Sequence, residues 1–153
     1  MALTRPNLRQ FLADVPQIDM TLPVAANVFV YEGAFLMWGT AGNAGTVQPV
    51  SGAGQFAGIA LQTIDNTGGA AGAVAVRVRL YCGIEANVAG GDTPTIGSVG
   101  VASSVPAATD DDTVRIETAS LITGTAPGNL LRVIEDGTAN GKVALHVRAA
   151  QVA

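Results

Sequence analysis

The feature that most restricts the fold of this chain is a strict two-residue alternation over residues 74–81. Val74, Val76, Val78 and Leu80 fall on one side, and Ala75, Arg77, Arg79 and Tyr81 fall on the other. Successive side chains of a strand point to opposite faces of a sheet, so this run fits a half-buried β-strand and no helix. The period recurs at Val143, Leu145 and Val147 against Ala144, His146 and Arg148, and at Val114 and Ile116 against Arg115 and Glu117. Glycine-rich stretches at 39–45, 52–54, 68–72, 90–92 and 136–141 separate the apolar segments and supply turn chemistry. Helical periodicity is nearly absent. The expectation is an all-β chain of short strands, folded as a small barrel or sandwich.

The chain also resembles itself. Residues 58–65, a turn and residues 72–79 align with residues 128–135, another turn and residues 141–148. Leu61 matches Leu131, Ile64 matches Ile134, Val74 matches Val143, Val76 matches Leu145, and Arg79 matches Arg148. A looser match sets Gly33, Phe35 and Met37 against Gly97, Val99 and Val101. A repeat of about 70 residues implies two tandem related β units, over about residues 28–85 and 93–150 of a domain at 28–153.

Ahead of these units, residues 1–27 carry Pro6, Pro16 and Pro23 and no sustained period. Proline lacks the N–H that a helix interior needs, so an extended N-terminal arm is expected. An extended segment can add to an exposed sheet edge and seat its side chains in pockets. Leu8, Phe11, Leu12, Ile18 and Met20 are the candidate apolar anchors, and Arg5 and Arg9 the candidate partners of acidic groups. The arm is expected to leave its own unit and lie on a neighbouring molecule; the alternative is that it covers the end of its own barrel. Arg5, Pro6, Arg9 and Asp14 interrupt the opening where a secretory signal would be apolar, so an intracellular site of synthesis is expected.

Only 13% of the 153 residues are charged, against roughly 25% in an ordinary soluble domain. A surface so poor in charge exposes Ala, Val, Gly and Thr, and exposed apolar patches commonly mean a partner. No apolar run is long enough to span a bilayer, so no membrane is expected. The net charge is −4 and the arginines are scattered, which argues against nucleic acid.

The residues that carry chemistry are few. His146 is the one histidine, on the polar face of its strand, and no serine or cysteine is placed beside it in sequence. The single cysteine, Cys82, rules out an internal disulfide and any multi-cysteine zinc site, and packing is its expected role. Asp110, Asp111 and Asp112 lack the alternate spacing and central glycine of a calcium loop and read as a solvated loop tip. Gly52, Gly54 and Gly58 depart from the dinucleotide-binding spacing and precede no helix. Nothing selects a catalytic pair from Asp65, Glu85, Glu117 and Glu135. Phe29, Tyr31, Phe35 and Trp38 cluster at the start of the first unit, where core is the first reading and interface the second. No catalytic residue, cofactor or metal is expected, and the chain is not expected to be an enzyme.

Residues 33–38, then Phe56, Ala57, Gly58, Ile59 and Ala60, then a Gly-rich hairpin closing on Val76, Arg77 and Val78, followed by a second such round, resemble the head decoration proteins of tailed phages, also called capsid cement proteins. The resemblance covers about residues 28–150 and leaves out the arm and the loop at 107–113. It implies a virion protein made in the host cytoplasm that sits on the outer capsid surface and reinforces the shell. Its implied partners are the major capsid protein and further copies of itself, commonly as a trimer. The alternative is a carbohydrate-binding or adhesin-like β module of a phage tail or bacterial surface, which would need exposed aromatics or a metal.

Overall fold

A computed structural model describes residue 11 and residues 16–50, 56–88, 99–101, 113–117, 131–133 and 142–148. The strand expected over 74–81 begins at Ala75, so Val74 lies just outside the longest element. The strands are β1 (Ile18–Pro23), β2 (Phe29–Val30), β3 (Phe35–Trp38), β4 (Val47–Pro49), β5 (Phe56–Ala60), β6 (Ile64–Asp65), β7 (Ala75–Val88), β8 (Val99–Val101), β9 (Thr113–Glu117), β10 (Leu131–Val133) and β11 (Lys142–Arg148). The sole helical turn among the described residues is Ala41–Asn43. The fold is all-β, and most pairings are antiparallel.

The pairings make two circuits that share β7. In the first, β7 pairs β5, β5 pairs β3, and β3 pairs β4. An isolated parallel bridge from Val47 to Val24 then reaches the end of β1, which returns to β7. In the second, β11 pairs β10, β10 pairs β8, β8 pairs β9, and β9 runs parallel to the end of β7, which pairs β11. The two circuits have the same connectivity. In each, the last strand pairs the fourth, the fourth the second, the second the third, and the third meets the first in parallel. The closing contacts are short, so each unit is a strongly curled sheet and not an evenly bonded barrel. The antiparallel pair β2–β6 stands apart as a second small sheet.

This topology is the internal repeat made physical, with two corrections. First, Leu131 pairs Val147 whereas Ala60 pairs Val78, so Leu131 stands where Ala60 stands and not where Leu61 does. A one-residue slip reverses the faces of a strand, and burial rather than letter-by-letter similarity sets the pairing. Second, residues 18–23, assigned to the arm, form the first strand of the first unit. Their alternation of Ile18, Met20 and Leu22 with Asp19, Thr21 and Pro23 pairs against β7 in the same chain. Over this stretch the segment does not leave its own unit.

The core of the first unit gathers Leu22, Val24, Val30, Ala34, Leu36, Val47, Ala57, Ala60, Val76 and Val78. Phe35 and Phe56 are buried edge to face, with ring centroids 5.9 Å apart. Of the aromatic cluster, Trp38 packs against the core half-buried, whereas Phe29 is exposed. Both faces of β5 are buried, and a bulge makes this possible. Leu36 pairs Gly58 and Met37 pairs Phe56, which leaves Ala57 as the extra residue. Gly58 has φ +129, and a Cβ there would lie 2.5 Å from the Arg79 carbonyl oxygen and 2.6 Å from Val78 Cγ1.

Two asparagines, the buried Asn66 and the half-buried Asn43, hold the loop after β1. Asn66 Nδ2 donates to the carbonyls of Ala25 (2.7 Å) and Ala70 (3.0 Å), and the Ala26 N–H donates to Asn43 Oδ1 (2.9 Å). The segment after β1 is therefore tied from two sides, by Asn66 and by Asn43.

Gly58→Ala is expected to destabilise the chain by about 2 kcal/mol or more, because the backbone angle and the β7 contact both exclude a Cβ. Chemical denaturation of the variant against the parent measures it; a loss below about 0.5 kcal/mol would mean the bulge relaxes freely.

Candidate interaction surface

The polar face of β1 and β7 carries the main electrostatic cluster among the described residues. Asp19 lies opposite Arg79, so the two side chains share a face. Arg79 Nε donates to Asp19 Oδ1 at 2.7 Å and Arg79 Nη2 to Asp19 Oδ2 at 2.9 Å, a forked pair. Arg77 approaches the same carboxylate at 3.6 Å from a more exposed position and adds little. On its other side the Arg79 guanidinium stacks over the Phe11 ring, 4.3 Å from the centroid. Arg79 thus joins β7, β1 and the segment before β1.

The hydrogen bonds from Arg79 hold the Asp19 carboxyl below its ordinary value of 3.8, with partial burial opposing and the charges of Arg79 and Arg77 assisting. Arg79 is raised in turn, first by its hydrogen bonds to Asp19. Cys82 is buried, and desolvation raises its thiol to about 12 despite the nearby Arg79 charge. A thiol so far above neutrality is a packing group and not a nucleophile.

The other face of β1 is apolar and only partly covered. Leu22 is buried, whereas Ile18 is 55% and Met20 52% exposed. Phe29 is the third exposed large apolar residue and touches Tyr31, with centroids 4.6 Å apart.

Of the anchors expected from sequence, Ile18 and Met20 sit on this exposed strand and Phe11 bridges Ile84 of β7. Arg5, Leu8, Arg9 and Leu12 lie outside the described residues, as do the Asp110–Asp112 run and the side chain of His146. Asp19 carries no functional signal in the sequence, and Phe29 enters only as part of the aromatic cluster, for which core is the first reading and interface the second. The alternation in residues 18–23 could have placed Asp19 on a strand, but its partner Arg79 is sixty positions away. Among the described residues no three His, Cys, Asp or Glu side chains group as metal ligands. No helix of the described residues is long and apolar enough to cross a membrane.

No protein-family model and no curated protein matches the chain. Among solved structures it is similar to the N base of the head fiber protein gp8.5 of bacteriophage phi29, at a TM-score of 0.49 and 11% identity, over 89% of this chain and 99% of that one. At that overlap the likeness carries no weight for function.

Asp19→Asn is expected to lower stability near pH 7 by about 1 kcal/mol, the size of a partly exposed forked pair. Because the folded carboxyl titrates below its unfolded value, the stabilisation is present above the ordinary carboxylate range and is lost as pH falls through the lowered value. Denaturation curves of both proteins should therefore converge in acid; a gap independent of pH would remove the ion pair as its cause. Cys82 should resist thiol reagents in the native protein at pH 7 and react fully on unfolding; stoichiometric native labelling would contradict its burial.

Proposed function

We propose that the chain is a structural protein of a tailed-phage virion that binds the outer surface of the capsid and stabilises the shell. Its partners are the major capsid protein and further copies of itself, and it works by binding, without turnover. The observation that supports this most is β1, whose outer edge has no partner among the described residues ahead of Val24 and which exposes Ile18 and Met20. Such an edge favours pairing with another chain unless it is covered. The resemblance of residues 33–38, 56–60 and 76–78 to head decoration proteins supplies the class of partner. Two curled units locked through one strand form a stiff block suited to bearing load between shell subunits.

One observation favours a second reading. The exposed Phe29 ring beside Tyr31 is the kind of aromatic platform a carbohydrate-binding module would use.

The deciding experiment mixes the purified protein with expanded and unexpanded capsids of the phage that encodes it. Co-sedimentation with expanded shells, and a raised disruption temperature of those shells, is the expected result. Absence from both pellets, together with glycan-array binding that Phe29→Ala abolishes, would replace the first reading with the second.

A further inference from the structure

The first strand of each unit has an edge turned away from the last strand, and the two units treat that edge differently. In the second unit, where β7 is the first strand, Ile84 pairs Leu145 of β11 on one side and bridges Phe11 on the other, antiparallel. The equivalent edge of β1 meets Val47 at its far end, and among the described residues nothing pairs with Asp19, Thr21 or Pro23 there.

The hydrogen bonds at the end of β1 show which backbone groups face this edge. The Val24 N–H donates to Val74 (2.9 Å) and its carbonyl accepts from Gly72 (2.8 Å), whereas the Ala25 N–H donates the opposite way, to Val47 (2.9 Å). Alternation carries this back along the strand. Leu22 and Met20 turn their backbone groups to β7, and Pro23, Thr21 and Asp19 turn theirs outward. The outward row is thus two complete donor–acceptor sets and, at Pro23, a carbonyl without a donor.

We propose that this edge is the docking site of a second copy of the chain, the two β1 strands pairing antiparallel about a two-fold axis at Met20. The charge and donor pattern selects that register among those that keep the faces matched. Centring on Asp19 would set two carboxylates opposite each other, and like charges directly opposed destabilise a sheet. Centring on Thr21 would set Asp19 opposite Pro23 of the partner subunit, which has no N–H to give. Centring on Met20 sets Asp19 opposite Thr21 of the partner subunit, with both backbone hydrogen bonds made in each such pair. It also lays Ile18 against Leu22 of the partner subunit and Met20 against Met20 of the partner subunit, covering the two most exposed apolar side chains of the strand. A two-fold contact of this kind is self-complementary and closes on itself.

The proposal deepens the self-association in the reading above. It is read in solution without capsids, so its failure and that of capsid binding are separate results. Sedimentation velocity of the full chain at micromolar concentration is expected to show a dimer. Met20→Lys brings two like charges face to face and is expected to give a monomer with an unchanged melting temperature, since Met20 is half exposed within one chain. Residues at a non-hydrogen-bonded antiparallel pair have Cα atoms about 4.5 Å apart, within disulfide range. Met20→Cys is therefore expected to form a covalent dimer on mild oxidation, and Ile18→Cys, which faces a different residue, far less. The buried Cys82 does not compete. Selective crosslinking at Met20 supports the pairing whatever its affinity. Equal crosslinking of the two variants, crosslinking of neither, or an oligomer that Met20→Lys leaves intact would overturn it.

Discussion

Everything else in this protein depends on the double use of β7. Its first half closes the first unit against β1 and β5, and its second half opens the second unit against β11 and β9. A fourteen-residue strand is far longer than its neighbours, and it holds together because each half is paired on both edges. Sharing a strand differs from joining two domains by a linker. Strand β7 itself runs unbroken through the junction, where Tyr81 pairs both Ile18 of β1 and Arg148 of β11 although the β1 register shifts at Leu80, so twisting one unit against the other would disturb backbone pairing and not only a loop.

That arrangement explains the cluster at Arg79. It stands near the middle of β7, opposite both Asp19 and Ile59, where the first unit ends. Its fork to Asp19 and its stack on Phe11 hold the N-terminal segment along the same strand that the second unit uses. The ion pair contributes modestly to stability because it is partly exposed, and its larger effect is geometric. It holds Phe11 beside the second half of β7, where Phe11 bridges Ile84.

Among the described residues, the same geometry leaves the outer edge of β1 unpaired ahead of Val24. In a circuit of five strands every member has two neighbours, but β4 is three residues long and meets the first strand only at Val24. Among the described residues the rest of β1 has no partner on that edge, and on its apolar face Ile18 and Met20 are exposed while Leu22 is buried. An apolar strand edge left open in this way is a liability in a free monomer and a resource in an assembly. That link connects the fold to the proposed role.

The sequence by itself determined the strand character of the chain and much of its duplication. Alternation at residues 74–81 marks which side of β7 is core, since Val76 and Val78 are buried and Arg77 is exposed. The paired segments near 58–79 and 128–148 mark equivalent hairpins. Period and composition are local properties, and local order is readable along the chain. The tertiary structure decided what depends on contacts between distant residues. That one strand serves both units is invisible in a comparison that treats repeats as separate blocks. The requirement for glycine at position 58 follows from the approach of β7, which the letters around Gly58 do not contain. Residues 18–23 look like part of a proline-bounded arm until Arg79, sixty positions later, gives Asp19 a partner.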